Sequence, residues 1–263
     1  MKLKQGIFLN SLVILIIAGY LVVAGINYSD NHDAVRCTEL NIVVQDSALF
    51  GFVTPQIAQR WLEEASLGIR SKRLSEVDLH AIEDFFTGHD YISDVQVYTT
   101  MEGEVNIILS QRYPLIRIIS ETGYDFYADS SFYILPPCEH FIAKVPMVTG
   151  QVRFSFPEDF YGNIGEKKEQ EDTKMLKKLI NFVEIINKDD FLRSLIVQVY
   201  VDDRSEIELI PRVGQQVIFL GPLESCQEKL LNLKEFYTQS FSEMWWESAR
   251  QVDLKYSGQV IVR

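Results

Sequence analysis

The sequence predicts an α+β chain: a single N-terminal transmembrane helix, then a β-α-α-β-β module, then a mixed sheet with helices packed on it. Three observations carry that expectation. Residues 6–26 form an apolar run without a charge. Residues 36–110 switch between period-two and helical apolar spacing in the order strand, helix, helix, strand, strand. Beyond Pro114, short alternating segments predominate, interrupted by two amphipathic stretches.

The apolar run, GIFLNSLVILIIAGYLVVAGI from Gly6 to Ile26, offers only Asn10, Ser11 and Tyr20 as polar groups. Its 21 residues as a helix span about 32 Å, the thickness of a bilayer's hydrocarbon. Gly6, Leu12, Leu15, Ile17, Leu21 and Ile26 represent the anchor along its length. Lys2 and Lys4 precede it, whereas Asp30 and Asp33 follow before the first basic residue, Arg36. Basic residues stay on the cytoplasmic side during insertion, so residues 1–5 are expected inside and residue 27 onward exported. A cleaved signal peptide is the rival, since Val22-Val23-Ala24 resembles a cleavage site. The run is longer than the usual signal core and continues to Ile26, which favours the anchor. No Cys directly follows it, against a lipoprotein.

The chain carries a net charge of −12 and its first 26 residues +2, so the part beyond carries −14. Such a surface argues against nucleic acid and against an electrostatic grip on anionic lipid. Three cysteines, Cys37, Cys138 and Cys226, are too few for a disulfide framework. Cys226 falls on the apolar side of a predicted helix, as a buried thiol would.

After a linker over 27–36, the first strand is read at 36–44, with Leu40, Ile42 and Val44 alternating against Glu39, Asn41 and Val43. Thr54-Pro55 starts a helix with Ile57, Ala58, Trp61, Leu62 and Ala65 inward and Gly68 as its stop. Ser75-Glu76-Val77-Asp78 reads as a capping box for a second helix, with Leu79, Ile82, Phe85 and Phe86 inward and Gly88 closing it. Strands follow at 92–99 and 104–110 around a turn at Met101-Glu102-Gly103. Gln111-Arg112-Tyr113-Pro114 breaks the pattern, since proline cannot donate to a central ladder, and places a domain junction there.

Beyond it, strands are read at 115–119, 124–128, 132–135 and 145–149, then an irregular polar loop from Pro157 to Asp172. Thr173 is read as the cap of a helix carrying Leu176, Leu179, Ile180, Val183 and Ile186 on one stripe. A hairpin at 195–201 and 206–210, a strand at 217–220 and a helix from Glu224 to about Phe241 complete the body. Finally Val252, Leu254 and Tyr256 alternate with Asp253 and Lys255, a turn follows at Ser257-Gly258, and a last strand spans 260–262.

No catalytic or metal constellation stands out. His32, His80, His89 and His140 make no ligand pair at helical spacing, and the cluster from His80 to Asp90 lies mostly on a polar helix face. Glu63-Glu64, Asp189-Asp190 and Asp202-Asp203 read as solvated charge rather than a paired acid site. No nucleophile elbow or phosphate-cradling glycine loop is present. The backbone is the other place to look: a terminal strand often forms a sheet edge, which can accept a partner's strand or be covered internally.

The order of these parts resembles the bacterial cell-division family FtsQ, called DivIB in Gram-positives. Phe52-Val53-Thr54 is similar to the stretch that leads into the family's POTRA domain, and the run from Tyr91 to Tyr98 to its strand after the second helix. Gln111-Arg112-Tyr113-Pro114 resembles its junction motif, with Gln111 where Glu is common. Asp125 to Asp129 and Val145 to Gly150 are similar to segments of its β domain. Val252-Asp253-Leu254-Lys255-Tyr256-Ser257-Gly258 is the best local likeness.

The resemblance implies a POTRA-like domain over 37–112, an FtsQ-type β domain over 113–263 and a non-enzymatic divisome scaffold. It implies a single-pass protein of the cytoplasmic (inner) membrane, enriched at the division site, with its bulk periplasmic. FtsB-like and FtsL-like bitopic proteins would be its partners, with no cofactor, metal, nucleic acid or small-molecule substrate. FtsB adds a strand along the last strand of the family's β domain. That contact maps to Lys255, Tyr256, Ser257 and Gly258, with Val260 continuing the edge. Tyr256 would be an apolar anchor with a polar tip. Lys255 stands where arginine is frequent, so a bidentate carboxylate grip is lost. The roughly five-residue cytoplasmic tail is shorter than in many relatives, which weakens any role for it. Two other classes remain: an exported cell-wall enzyme using carboxylates such as Glu208 or Asp253, and a POTRA-bearing secretion component. The latter feeds a many-stranded outer-membrane barrel, for which the chain has no strands.

Overall fold

Thr54-Pro55 opens the first helix, α1 (Pro55–Glu64), as those residue types demand. The Thr54 hydroxyl accepts from the Ile57 N–H at 3.3 Å, and proline sits in the first turn, where its missing donor is not needed. The structure is a computed structural model describing residues 14–23, 35–47, 50–69, 72–157, 159–165, 171–240, 250–256 and 258–263. It divides into two compact units. One holds the first strand and Val53–Gln111; the other holds Phe50–Phe52 and the chain from Arg112.

The first unit has the order β-α-α-β-β. Strands β1 (Glu39–Val44), β2 (Ile92–Thr99) and β3 (Glu104–Gln111) form a sheet ordered β1-β3-β2, with β1 parallel and β2 antiparallel to β3. Val105, Ile107 and Leu109 on β3 are fully buried, as the period of two requires. They share the core with Ala58 and Leu62 of α1 and with Ile82 and Phe86 of α2 (Leu79–Thr87). Asp78, not Ser75, caps α2: its carboxylate accepts from the Ala81 N–H at 3.0 Å, while Ser75 lies in a separate 3₁₀ turn, Leu74–Glu76. Asp78 has the extended backbone next to the first helical residue, which is what the cap position needs. Buried Gln111 ends β3; its carboxamide accepts from the Val53 N–H at 2.8 Å and donates to the Gln45 carbonyl at 3.3 Å.

The second unit is a ten-stranded mixed sheet. Its strands are β4 (Pro114–Ile119), β5 (Asp125–Asp129), β6 (Tyr133–Leu135), β7 (Met147–Gly150), β8 (Gly162–Asn163), β9 (Ile196–Val201), β10 (Ile207–Pro211), β11 (Val217–Gly221), β12 (Gln251–Asp253) and β13 (Ile261–Val262). They lie in the order β13-β12-β11-β10-β9-β7-β4-β5-β6-β8. Pro114 is tolerated because it is the first residue of its strand. The pairs β4–β7, β7–β9 and β11–β12 are parallel. Helices α3 (Glu171–Lys188), α4 (Asp190–Leu195) and α5 (Cys226–Glu235) supply the other half of the core, and a π-helical turn, Phe236–Ser240, follows α5.

All five predicted inward residues of α3, Leu176, Leu179, Ile180, Val183 and Ile186, are buried. They meet Ile118, Val148, Val199, Leu209 and Ile218 from alternate positions of the central strands. The helix starts at Glu171, so Thr173 is a buried first-turn residue rather than the cap. The region read as an irregular loop contains β8, and Ile164 beside it is fully buried. Asp189-Asp190 is not merely solvated charge. The Asp189 carboxylate caps α4 through the Phe191 and Leu192 N–H groups and takes a 2.6 Å bond from Lys234 Nζ, which holds it below the usual carboxylate range.

Of the expected membrane span, residues 14–23 are described and are helical, with Leu15, Ile17 and Leu21 exposed. Gly6, Leu12 and Ile26 lie outside the described residues. Among the described residues, no helix is long and apolar enough to cross a membrane.

Candidate functional site

The C-terminal end of the large sheet is built by three short strands. β12 runs parallel to β11, with Val217 opposite Gln251, Ile218 opposite Val252 and Phe219 opposite Asp253. The ladder continues past β12, because the Leu254 N–H donates to the Phe219 carbonyl at 2.8 Å. Alternation sends Val252 and Leu254 into the core, where both are buried, and leaves Asp253 and Lys255 on the opposite face. β13 turns back antiparallel on β12, pairing Val262 with Val252 and Ile261 with Asp253. The expected terminal strand is therefore the outermost strand of the sheet, and it covers part of its neighbour.

Lys255 is held in three ways. Its ammonium contacts Glu206 Oε1 at 2.6 Å, and that carboxylate raises it above the usual lysine range. Its N–H donates to the Asp253 carboxylate at 2.9 Å. Its aliphatic stem crosses Gly221, where an added Cβ would stand 3.1 Å from Lys255 Cγ. Gly221 also has φ +71°, so glycine serves the close approach and the backbone conformation together.

Residues outside the predicted site hold this arrangement in place. Lys229 on α5 is buried and donates to the carbonyls of Leu220 at 3.0 Å and Pro222 at 2.7 Å, pinning the turn around Gly221. Burial pushes its ammonium below the usual lysine range, with Glu224 opposing. Asp202 accepts from the N–H groups of Arg204 and Glu206 at 2.8 and 2.7 Å, which fixes the turn that presents Glu206. Glu206 has no sequence signal of its own. It meets a residue 49 positions away only because β10 and β11 bring the Asp202 turn beside Gly221.

Tyr256 is 58% exposed, so the inward alternation read through it ends at Leu254. The Gln259 N–H donates to the Tyr256 carbonyl at 3.3 Å, and Gly258 takes φ +70° in the turn between the last two strands. Val260 is half-buried against the core. Ser257 lies outside the described residues. The structure thus brings Lys255, Tyr256, Gly258 and Val260 to one sheet end, on the connection between β12 and β13 rather than within a strand.

The carboxylates weighed for catalysis lie on one cross-strand row: Glu208 faces Phe219, and Phe219 faces Asp253. Two strand spacings set them roughly 10 Å apart along the sheet face. Burial, aided by the Asp202 charge, raises the Glu208 carboxyl above its usual range. Asp253 is engaged by the Lys255 N–H. No group of three or more potential metal ligands is assembled among the described residues.

Comparison with known families agrees with this architecture in both units. Residues 113–262 match the family model described as FtsQ/DivIB, C-terminal related, and residues 35–110 match that of a POTRA-like domain. No curated protein matches the chain.

Proposed function

The chain belongs to the FtsQ/DivIB family, and from that premise we propose that it captures FtsB-like and FtsL-like bitopic proteins by strand addition at its C-terminal sheet edge. It carries the POTRA-like and β domains of a cell-division scaffold. The observation that supports the edge as the capture point is its construction: two short strands close the sheet, with Tyr256 exposed beside them. Partner binding recruits and regulates the septal peptidoglycan machinery without chemistry by the chain itself. Main-chain hydrogen bonds supply affinity in such a complex, and alternate side chains supply specificity.

Residues 6–26 anchor the chain in the cytoplasmic membrane in this reading, with its bulk periplasmic and concentrated at the division site. The exposed apolar side chains of the helical residues 14–23 suit lipid. Anchoring places the edge where bitopic partners' exported segments emerge from their own helices. Lys255 then meets a partner carboxylate only by leaving Glu206, while Ser257 and Gly258 let a partner backbone approach.

Tyr256→Ala is the test. A fully anchoring aromatic is worth about 1.4 kcal/mol or more, so capture of the partner's exported segment weakens about tenfold or more while unfolding is unchanged. Undiminished binding sinks the assignment of Tyr256. Depletion of the protein gives filamentous cells, and a fluorescent fusion gathers at midcell; normal division without midcell signal overturns the division role itself.

A further inference from the structure

The open face of the large sheet carries a charge pattern that strand pairing alone does not use. Leu209, Ile218 and Val252 lie in the core with the helices, so their neighbours Glu208, Phe219 and Asp253 lie on the opposite face. Register joins these neighbours into one row across β9 to β13. Tyr200 stands opposite Glu208, Glu208 opposite Phe219, Phe219 opposite Asp253, and Asp253 opposite Ile261. The row starts at the capture edge and alternates rings with carboxylates as far as Tyr200, which is 36% exposed.

Charge along this row is one-sided. Among the described residues, the Glu208 carboxylate has no hydrogen bond or ion pair. Burial and the Asp202 charge push it up, as befits a carboxylate with no cation beside it. Asp253 accepts only the Lys255 N–H, and the Lys255 ammonium is already taken by Glu206. The adjoining turn adds Asp202, Asp203 and Arg204, so five carboxylates face two cations at this end of the open face. An acidic segment is repelled there and a basic one is drawn in.

We propose that the segment captured at the C-terminal edge is basic where it crosses this row, with an arginine or lysine seated beside Phe219 between Glu208 and Asp253. This rests on the capture reading above and names the chemistry of its partner. The two carboxylates flank the ring roughly 10 Å apart, so a cation beside the ring lies within reach of both. The rings of Phe219 and Tyr200 add the attraction of an aromatic face for a cation. A guanidinium suits the place better than an ammonium, because it stacks on a ring while its edge donates to a carboxylate. Lys255 stays with Glu206 in this arrangement: that ion pair holds the edge, and Glu208 and Asp253 select the partner.

Titration of the full chain in nanodiscs with the exported segment of the same organism's FtsB-like protein tests this. Glu208→Gln removes a charge that the free fold does not use, and it weakens binding about tenfold. Glu208→Lys weakens it further. Replacing the segment's basic residues one at a time by glutamate then finds one that restores binding to Glu208→Lys and weakens binding to the unmodified chain. Unchanged or tighter binding by Glu208→Gln overturns the basic assignment, as does a scan in which no glutamate restores binding. Should Glu208→Lys fail to fold, Glu208→Gln decides alone. Tyr256→Ala keeps the two readings apart: if it weakens binding and Glu208→Gln does not, the capture edge stands and the charge assignment falls. If the unmodified chain does not bind the segment, the capture reading itself fails and this inference with it.

Discussion

The centre of the ten-stranded sheet and its C-terminal end follow the same alternation of buried and open residues, yet they hold the chain with different strength. β9 and β10 pair at five positions from Ile207–Val201 to Pro211–Ile196, while β12 and β13 pair at two. Val199, Val201, Ile207 and Leu209 are fully buried in the core that α3 closes, whereas Ile261 and Val262 are half-exposed. A strand held by few bonds and little apolar area opens at low cost, and one sealed under a helix opens only when the domain unfolds. The same sheet therefore has a firmly held centre and a lightly held margin.

The largest effect that sharpens this contrast is at the centre. Leu179→Ala removes a fully buried side chain of α3 and costs about 2–5 kcal/mol. Val262→Ala, at the margin, costs under about 1 kcal/mol. Chemical unfolding of both variants measures the difference. Equal losses would mean that the margin folds as one piece with the core and would break the comparison.

Next in size is Lys229, which links the two regions. Lys229→Met keeps the stem but leaves the carbonyls of Leu220 and Pro222 without their charged donor, at a cost of about 1–3 kcal/mol. Its mark is local: faster amide exchange around Gly221 and Lys255, with the α3 core still protected. Uniform loss of protection would show that the Gly221 turn belongs to the firmly held centre.

How much of this was legible in the sequence follows the same division. The stripe of α3, the Thr54 cap and the strands of the first unit were readable because local periodicity and capping chemistry settle them. Family likeness pointed to the end of the sheet. What held that end was hidden. The Glu206–Lys255 ion pair and the Lys229 clamp depend on strand order, which spacing along the chain does not encode. Asp202 and Asp189 looked like surface charge because a carboxylate that caps a turn or a helix has the same residue type and neighbours as a solvated one. β8 escaped because Gly162 and Asn163 carry no apolar side chain, unlike the equally short β13.

The smallest expected effect concerns acidity, and it separates the first unit from the sheet edge. The His89 ring stacks on Trp61 with centroids 4.1 Å apart and meets Phe85 edge-on at 5.0 Å. Burial pushes the imidazole below its ordinary value of 6.5, against the opposing pull of Asp90. The unfolded chain then binds the proton more readily than the folded one. His89 stability is fully present above pH 6.5 and is lost as pH falls from there through the folded value. Lys255 behaves oppositely: raised by Glu206, its contribution is complete below pH 10.5 and is lost as pH rises from there through its higher folded value. Acidification from pH 7 to 5 therefore lowers the unfolding midpoint of the POTRA-like unit within the full chain, and His89→Gln flattens that dependence. Across the same range the Lys255 ammonium keeps its charge. A His89→Gln protein that retains the full acid sensitivity would remove the imidazole from the account and place the titrating group elsewhere.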